Sequence, residues 1–220
     1  LVTTLVPAPA LAVHASRLEA VMVRPLEDDE LSPWLADPRR NAWLLGPGGG
    51  AGPALRAQVE AVLDAGRATV LDADALTSFA GDVDGLARHV RAPTVLTPHA
   101  GEAARLVELT GDRLADARHL AETAGAVVVL KGFDSVVAGP DGRAAIAENG
   151  CPALATAGTG DVLAGIVLAH LSRGADPFAA ACAAVWLHNE AAWIDPRGLT
   201  AERLLGQLAA TVTRTEAIAA

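Results

Sequence analysis

Several things are scarce in these 220 residues, and each scarcity excludes something. Positive charge is short: 17 basic residues stand against 26 acidic ones, a formal net charge of −9. A nucleic-acid surface wants a basic face, so no nucleic-acid partner is expected, whereas a small anionic ligand needs only local positive charge. Cysteine is scarcer still. Cys151 and Cys182 form neither a disulfide framework nor a metal-ligand spacing, and read as small residues in a reducing cytoplasm. No apolar run reaches the ~18–20 residues of a membrane span, so no membrane partner is expected either. The apolar start "LVTTLVPAPALAVHA" has no basic leader and is interrupted by Pro7 and Pro9, unlike a signal peptide. There is no G-x-S-x-G, no H-E-x-x-H and no Walker G-x-x-x-x-G-K-[ST], which sets aside the common serine hydrolases, zinc hydrolases and P-loop enzymes. Lysine is reduced to one residue, Lys131; every other basic residue is arginine.

What is present is a globular composition, 51% hydrophobic and 20% charged, long enough to bury one sizeable core. A single domain over residues 1–220 is expected. Short β-rich runs ("LVTTLV", "AVMVRPL", "AWLLG", "ATVLD", "PTVLT", "AVVVLKG") alternate with helical patterns at Ala10–Leu18, Pro53–Leu63, Ala103–Leu109 and Leu114–Ala124. "SVVAG" and "RAAIAE" flank the turn "PDG" as a hairpin, and the remainder reads as helices Asp161–Ser172, Pro177–Ile194 and Thr200–Thr213. Near-continuous apolar strands alternating with helices predict an α/β three-layer sandwich around a mostly parallel central sheet. Ligands bind such sheets at the carboxyl ends of the strands. Four unusual segments lie there: "GPGGG" (46–50), "DADAL" (72–76), "TPHAGE" (97–102) and "KGFDS" (131–135).

A fifth segment, "TAGTGDVLAGIV", brings two glycines and one aspartate to the start of an apolar helix. Backbone N–H groups at a helix start favour anions, and glycine lets that backbone approach a ligand. Gly158 and Gly160 thus suit a phosphate cradle with Asp161 beside it; the plainer alternative is that Asp161 only caps the helix. Asp72 and Asp74 suit ligand hydroxyls or an indirectly held metal, or equally a turn and a cap. His99 and Glu102 suit proton transfer and water-mediated Mg²⁺, or equally the cap of the helix that follows. Lys131 follows a buried strand, where a compact ammonium is not interchangeable with arginine.

With these residues in view, the chain resembles the ADP/ATP-dependent NAD(P)H-hydrate dehydratases, a branch of the ribokinase-like superfamily. The likeness runs through "LLGPGGG", "VLDADAL", "LTPHAGEAARL", "VVLKG", "ENGCPALATAGTGDVLAG" and "NEAAW…GLTAERLL". It implies a hydro-lyase that restores hydrated NADH and NADPH, acting on the S epimer at the expense of ADP or ATP, with Mg²⁺. It implies a functional link to an epimerase that interconverts the hydrate epimers; a homo-oligomer is also expected. Carried over by position, Asp161 would be the catalytic base; Gly48, Gly50 and His99 would contact the hydrate with it. Lys131, Gly132, Phe133, Asp134 and Ser135, with Gly158 and Gly160, would hold the nucleotide. Glu102 and Asn149 are the candidates for the metal environment. Family members usually begin with a further glycine- and alanine-rich segment, so an N-terminal truncation is expected, with activity weakened in consequence. The rivals are a small-molecule kinase of the same superfamily, hydroxyethylthiazole-type, and a non-catalytic nucleotide-binding remnant.

Overall fold

The computed structural model describes residues 1–26 and 31–219. They fall into two compact units, residues 1–40 and 41–220. In the first, β1 (Thr3–Pro7) and β2 (Met22–Leu26) pair in parallel, Thr3 opposite Met22 through Pro7 opposite Leu26. Helix α1 (Leu11–Ala15) connects them, shorter than the Ala10–Leu18 pattern, and a single turn, α2 (Ser32–Leu35), follows.

The second unit is built on a six-stranded sheet in sequential order: β3 (Ala42–Leu45), β4 (Ala68–Leu71), β5 (Thr94–Leu96), β6 (Val127–Leu130), β7 (Val136–Ala138) and β8 (Ala144–Ile146). β3 to β6 pair in parallel, and β7 and β8 close the sheet as an antiparallel hairpin. The mostly parallel sheet expected from the apolar runs is therefore present. The parallel connections carry α3 (Pro53–Asp64), the short α4 (Asp74–Thr77) and α5 (Val83–Ala87), then α6 (Ala100–Leu106) and α7 (Arg113–Ala124). Three helices complete the chain: α8 (Thr159–Leu171), α9 (Pro177–Ile194) and α10 (Ala201–Ala219).

Alternation along the strands divides the core. Val70, Val95, Val127, Val129 and Val137 pack against Leu163, Val167 and Leu171 of α8 and Ala180, Ala184 and Val185 of α9. The intervening residues, such as Val128 and Leu130, are buried on the other face, and α7 packs on β6 and β7. β6 is buried at every position, which is why it reads as an unbroken apolar run. Two helix starts differ from the sequence patterns by more than one residue. α6 begins three residues before Ala103, because His99 caps it. α8 begins at Thr159, with Gly158 as its N-cap in the left-handed conformation, φ 83°. Asp161 therefore lies in the first turn of α8 and is not its cap. None of the described helices is long and apolar enough to cross a membrane.

Candidate active site

The carboxyl ends of β3 to β6 are tied side by side, and the segments singled out in the sequence make the ties. Beyond β3 the chain turns at Gly46, whose φ of 123° suits glycine; a Cβ there would stand 1.7 Å from the Asp72 carbonyl oxygen. This close approach brings the glycine loop against the end of β4. The loop is held there by Asp74, whose carboxylate accepts the Gly50 N–H at 2.9 Å, and by Ser78, whose hydroxyl accepts the Gly52 N–H at 3.0 Å. Gly48 and Gly50 have nothing within 4 Å of the positions their Cβ atoms would take, so that side of the loop is open. Between the two aspartates, Ala73 has φ 47° and ψ −117°; it is the non-glycine residue with positive φ among those described.

Past β5, His99 and Glu102 form a reciprocal cap. The His99 N–H donates to Glu102 Oε2 at 2.8 Å, and the Glu102 N–H donates to His99 Nδ1 at 3.2 Å. An accepting Nδ1 leaves Nε2 as the protonated nitrogen of the neutral ring; that edge lies 3.5 Å from Glu102 Oε1. The imidazole is more than half exposed, whereas the Glu102 carboxylate is nearly buried.

Past β6, the Lys131 N–H donates to the Pro98 carbonyl at 2.8 Å, extending the β5–β6 ladder to His99 opposite Lys131. The Lys131 ammonium reaches Asp72 Oδ1 at 2.7 Å and lies 3.8 Å from Glu102 Oε2. Asp72 is 1% exposed, so its charge requires this partner. The ammonium also lies against the start of α8: a Cβ on Gly160 would be 3.3 Å from Nζ. The 131–135 turn closes on itself, with Ser135 Oγ donating to the Gly132 carbonyl at 2.8 Å and accepting the Gly132 N–H at 3.2 Å. Phe133 is largely exposed. Asp134 faces Arg113 Nε at 2.9 Å.

Asp161, in the first turn of α8, is exposed at its surface side, unlike Asp72 and Glu102. Partial burial first, then the neighbouring charge of Asp72, hold its pKa above the ordinary aspartate value, and Lys131 opposes them. The carboxylate is equipped to take a proton, and the ammonium with the N–H groups of a helix start that lack helical partners is equipped to stabilise a phosphoryl group. The structure thus brings together Asp161, Gly160, Lys131 and Glu102, and ties His99 and the 46–50 loop to the same rim. Asn149 is placed differently. Its amide donates to Glu190 and to the Trp186 carbonyl, and it accepts from Asn189. It also lines a cavity of about 530 Å³ between the β7–β8 hairpin and α9. Among the described residues no group of three or more His, Cys, Asp or Glu is placed to hold a metal ion.

Asp72, read from the sequence as suited to ligand hydroxyls or an indirectly held metal, or equally to a turn and a cap, instead pairs with an ammonium 59 residues away. Two further supporting residues escape a reading of the sequence alone. Arg113, at the start of α7, donates to the Leu130 carbonyl at 3.1 Å and backs the 131–135 turn; a Cβ on Gly132 would stand 2.3 Å from it. His188 on α9 is 6% exposed and donates from Nε2 to the Thr159 carbonyl at 2.8 Å, fixing the first residue of α8. Burial depresses its pKa to about 4, keeping it neutral.

The NAD(P)H-hydrate dehydratase family model matches residues 1–213. The ADP-dependent (S)-NAD(P)H-hydrate dehydratase of Neisseria meningitidis is 42% identical over 180 residues, covering 77% of this chain and 60% of that protein. The bifunctional NAD(P)H-hydrate repair enzyme Nnr of Salinibacter ruber is 44% identical over 177 residues, covering 76% of this chain and 33% of that one. The chain therefore spans between a third and three fifths of the length of these relatives. Among solved structures, the ADP/ATP-dependent NAD(P)H-hydrate dehydratase of Bacillus subtilis, co-crystallised with ATP and Mg²⁺, matches with a TM-score of 0.75 and 28% identity, covering 94% of this chain and 76% of that one.

Proposed function

The chain belongs to the NAD(P)H-hydrate dehydratase family, and from that premise we propose that it dehydrates the S epimer of hydrated NADH and NADPH at the expense of ADP or ATP. The observation that carries the reading is the convergence of Asp161, Gly160 and Lys131 at the start of α8. Hydroxide is a poor leaving group and phosphate a good one. Asp161 takes the proton of the ring hydroxyl as its oxygen bonds to the terminal phosphorus and the bond to the nucleotide breaks, releasing AMP from ADP or ADP from ATP. The N–H groups at the start of α8, with Gly158 and Gly160, and the Lys131 ammonium stabilise the transferring charge. The ring-nitrogen lone pair then expels phosphate, and loss of a ring proton restores the dihydronicotinamide.

The remaining residues divide between the two ligands. The open side of Gly48 and Gly50, with His99 Nε2–H, lies against the hydrate. Lys131 to Ser135 and Gly160 hold the nucleotide. The residues fit a Mg²⁺ that arrives with the nucleotide better than a cage supplied by the protein, since Mg²⁺ binds through substrate phosphates with one or two carboxylates. Glu102 is the carboxylate at hand, and Asn149 has its amide committed to α9. Such an ion would neutralise phosphate charge. The free thiols Cys151 and Cys182 suit a cytoplasmic setting. The bifunctional relative supports a functional link to an epimerase.

The test is a single assay: hydrated NADH with Mg²⁺ and either ADP or ATP, following the dihydronicotinamide absorbance and inorganic phosphate. Recovery of absorbance with equal release of phosphate is expected. A stable phosphoester of an added alcohol, with no absorbance recovered, would establish a kinase instead.

A further inference from the structure

We propose that the turn Asp72–Ala73–Asp74 is a positioning element with two separate tasks: Asp72 sets the Lys131 ammonium for the nucleotide, and Asp74 sets the glycine loop for the hydrated dinucleotide. The inference rests on the assignment of Lys131 and the 46–50 loop to those two ligands. It goes further in making one three-residue turn responsible for both walls.

The geometry on the nucleotide side is specific. β4 and β6 are separated by β5, two ladder spacings or roughly 10 Å. Lys131 spans that gap over the end of β5 to reach a carboxylate that is 1% exposed. A buried ion pair adds little net stability compared with an apolar pair of the same shape, so its retention calls for another reason. The other neighbour of the ammonium supplies one. Lys131 Nζ lies 3.3 Å from where a Gly160 Cβ would be, and the lysine side chain keeps 18% of its surface exposed. Asp72 thus anchors an ammonium whose remaining face is turned to the start of α8. Glu102, at 3.8 Å, is the second carboxylate on it.

On the hydrate side, Asp74 holds the Gly50 N–H at 2.9 Å, within a loop whose outer side is open. Sequence neighbours but one reach these two partners because Ala73 has a positive φ with ψ −117°, a conformation that L-residues avoid and that surrounding structure must impose. The constraints are visible: Asp72 N–H donates to Leu45, its carbonyl accepts from Ala75, and Ser78 Oγ donates to the Asp74 carbonyl.

The experiment measures two affinities by calorimetry on the full chain, ADP with Mg²⁺ and hydrated NADH, so that neither depends on turnover. Asp72→Asn is expected to weaken ADP roughly tenfold to a hundredfold, the scale of a charge-assisted hydrogen bond, and hydrated NADH by less than about twofold. Asp74→Ala is expected to reverse the pattern, weakening hydrated NADH by about tenfold and leaving ADP within about twofold. Asp72→Glu keeps the charge and the fold while displacing the ammonium; it should melt close to wild type and still bind ADP weakly. ADP affinity unchanged in Asp72→Glu or Asp72→Asn would overturn the proposal, as would equal loss of both ligands in each variant. A wild-type chain that binds both ligands without turnover would refute the dehydratase reading alone, with the two affinities still deciding the division of tasks. A wild-type chain that binds no ADP would overturn both.

Discussion

Asp161 is where chemistry and stability pull in opposite directions. Its raised pKa comes from partial burial and from the charge of Asp72, so the fold favours the neutral acid. A carboxyl whose folded pKa lies above its unfolded value contributes stability that is complete below the unfolded value and lost as pH rises through the folded one. At pH 7 the ionised carboxylate therefore costs stability. Asp161→Asn is expected to melt at the same or a higher temperature than wild type near pH 7, and this difference should vanish below about pH 4, where the Asp161 carboxyl is neutral in the folded and the unfolded chain alike. Melting curves at the two pH values check this; a variant that melts lower at pH 7 would contradict it. With Asp161 as the base of the proposed reaction, the same shift places the acid limb of turnover above the ordinary aspartate value. Gly160 offers a second separation of fold from function. It sits in an ordinary helical conformation, so Gly160→Ala should keep the fold or stabilise it by up to ~1 kcal/mol. Its new Cβ would crowd the Lys131 ammonium from 3.3 Å, and ADP affinity, read by calorimetry, should fall.

At the scale of elements, the start of α8 depends on α9 and the end of β4 on a strained turn. His188 is neutral because burial holds its pKa near 4, against the usual 6.5. A depressed histidine pKa contributes stability that is present above the unfolded value and lost as pH falls through the folded one. Between pH 6.5 and 4 this group alone should remove about 3 kcal/mol. His188→Gln, which can still donate to Thr159, should flatten that part of the stability profile in urea titrations; an unchanged slope would contradict the assignment. Ala73→Gly relieves a backbone conformation that costs an L-residue of order 1–3 kcal/mol, less the ~0.5–1 kcal/mol that glycine loses in the unfolded chain. A rise in melting temperature of about 2–4 °C is expected for a chain of this size, and a fall would show that Ala73 is unstrained.

These elements differ in how visible they were in the sequence. β6 was plain, since four consecutive buried apolar residues leave no other reading, and α9 carried clear boundaries in Asp176, which caps it, and Pro177. α4 and α5, four and five residues long, are too short to show a helical period. The cap at His99 and Glu102 was one of the two readings open in the sequence, and the structure bears it out, but the apolar pattern placed the start of α6 three residues late, at Ala103. Lys131, Gly160 and Asp161 stood out through rarity and local pattern, whereas Asp72 and His188 act through partners 59 and 29 residues away, a distance that spacing does not encode.

For the molecule as a whole, the proposed chemistry lies where the parallel strands end: four strand ends laced together, Lys131 reaching across to Asp72, and Asp161 in the first turn of α8. In the proposed dehydration, the Asp161 carboxylate is the group that accepts the proton of the ring hydroxyl. The most direct measurement compares wild type and Asp161→Asn in the recovery of dihydronicotinamide absorbance from hydrated NADH with ADP and Mg²⁺, with ADP affinity measured alongside. Turnover lower by roughly 10²–10⁴, with ADP affinity changed by less than about twofold, is the expected result for a general base. Turnover near that of wild type would contradict the account.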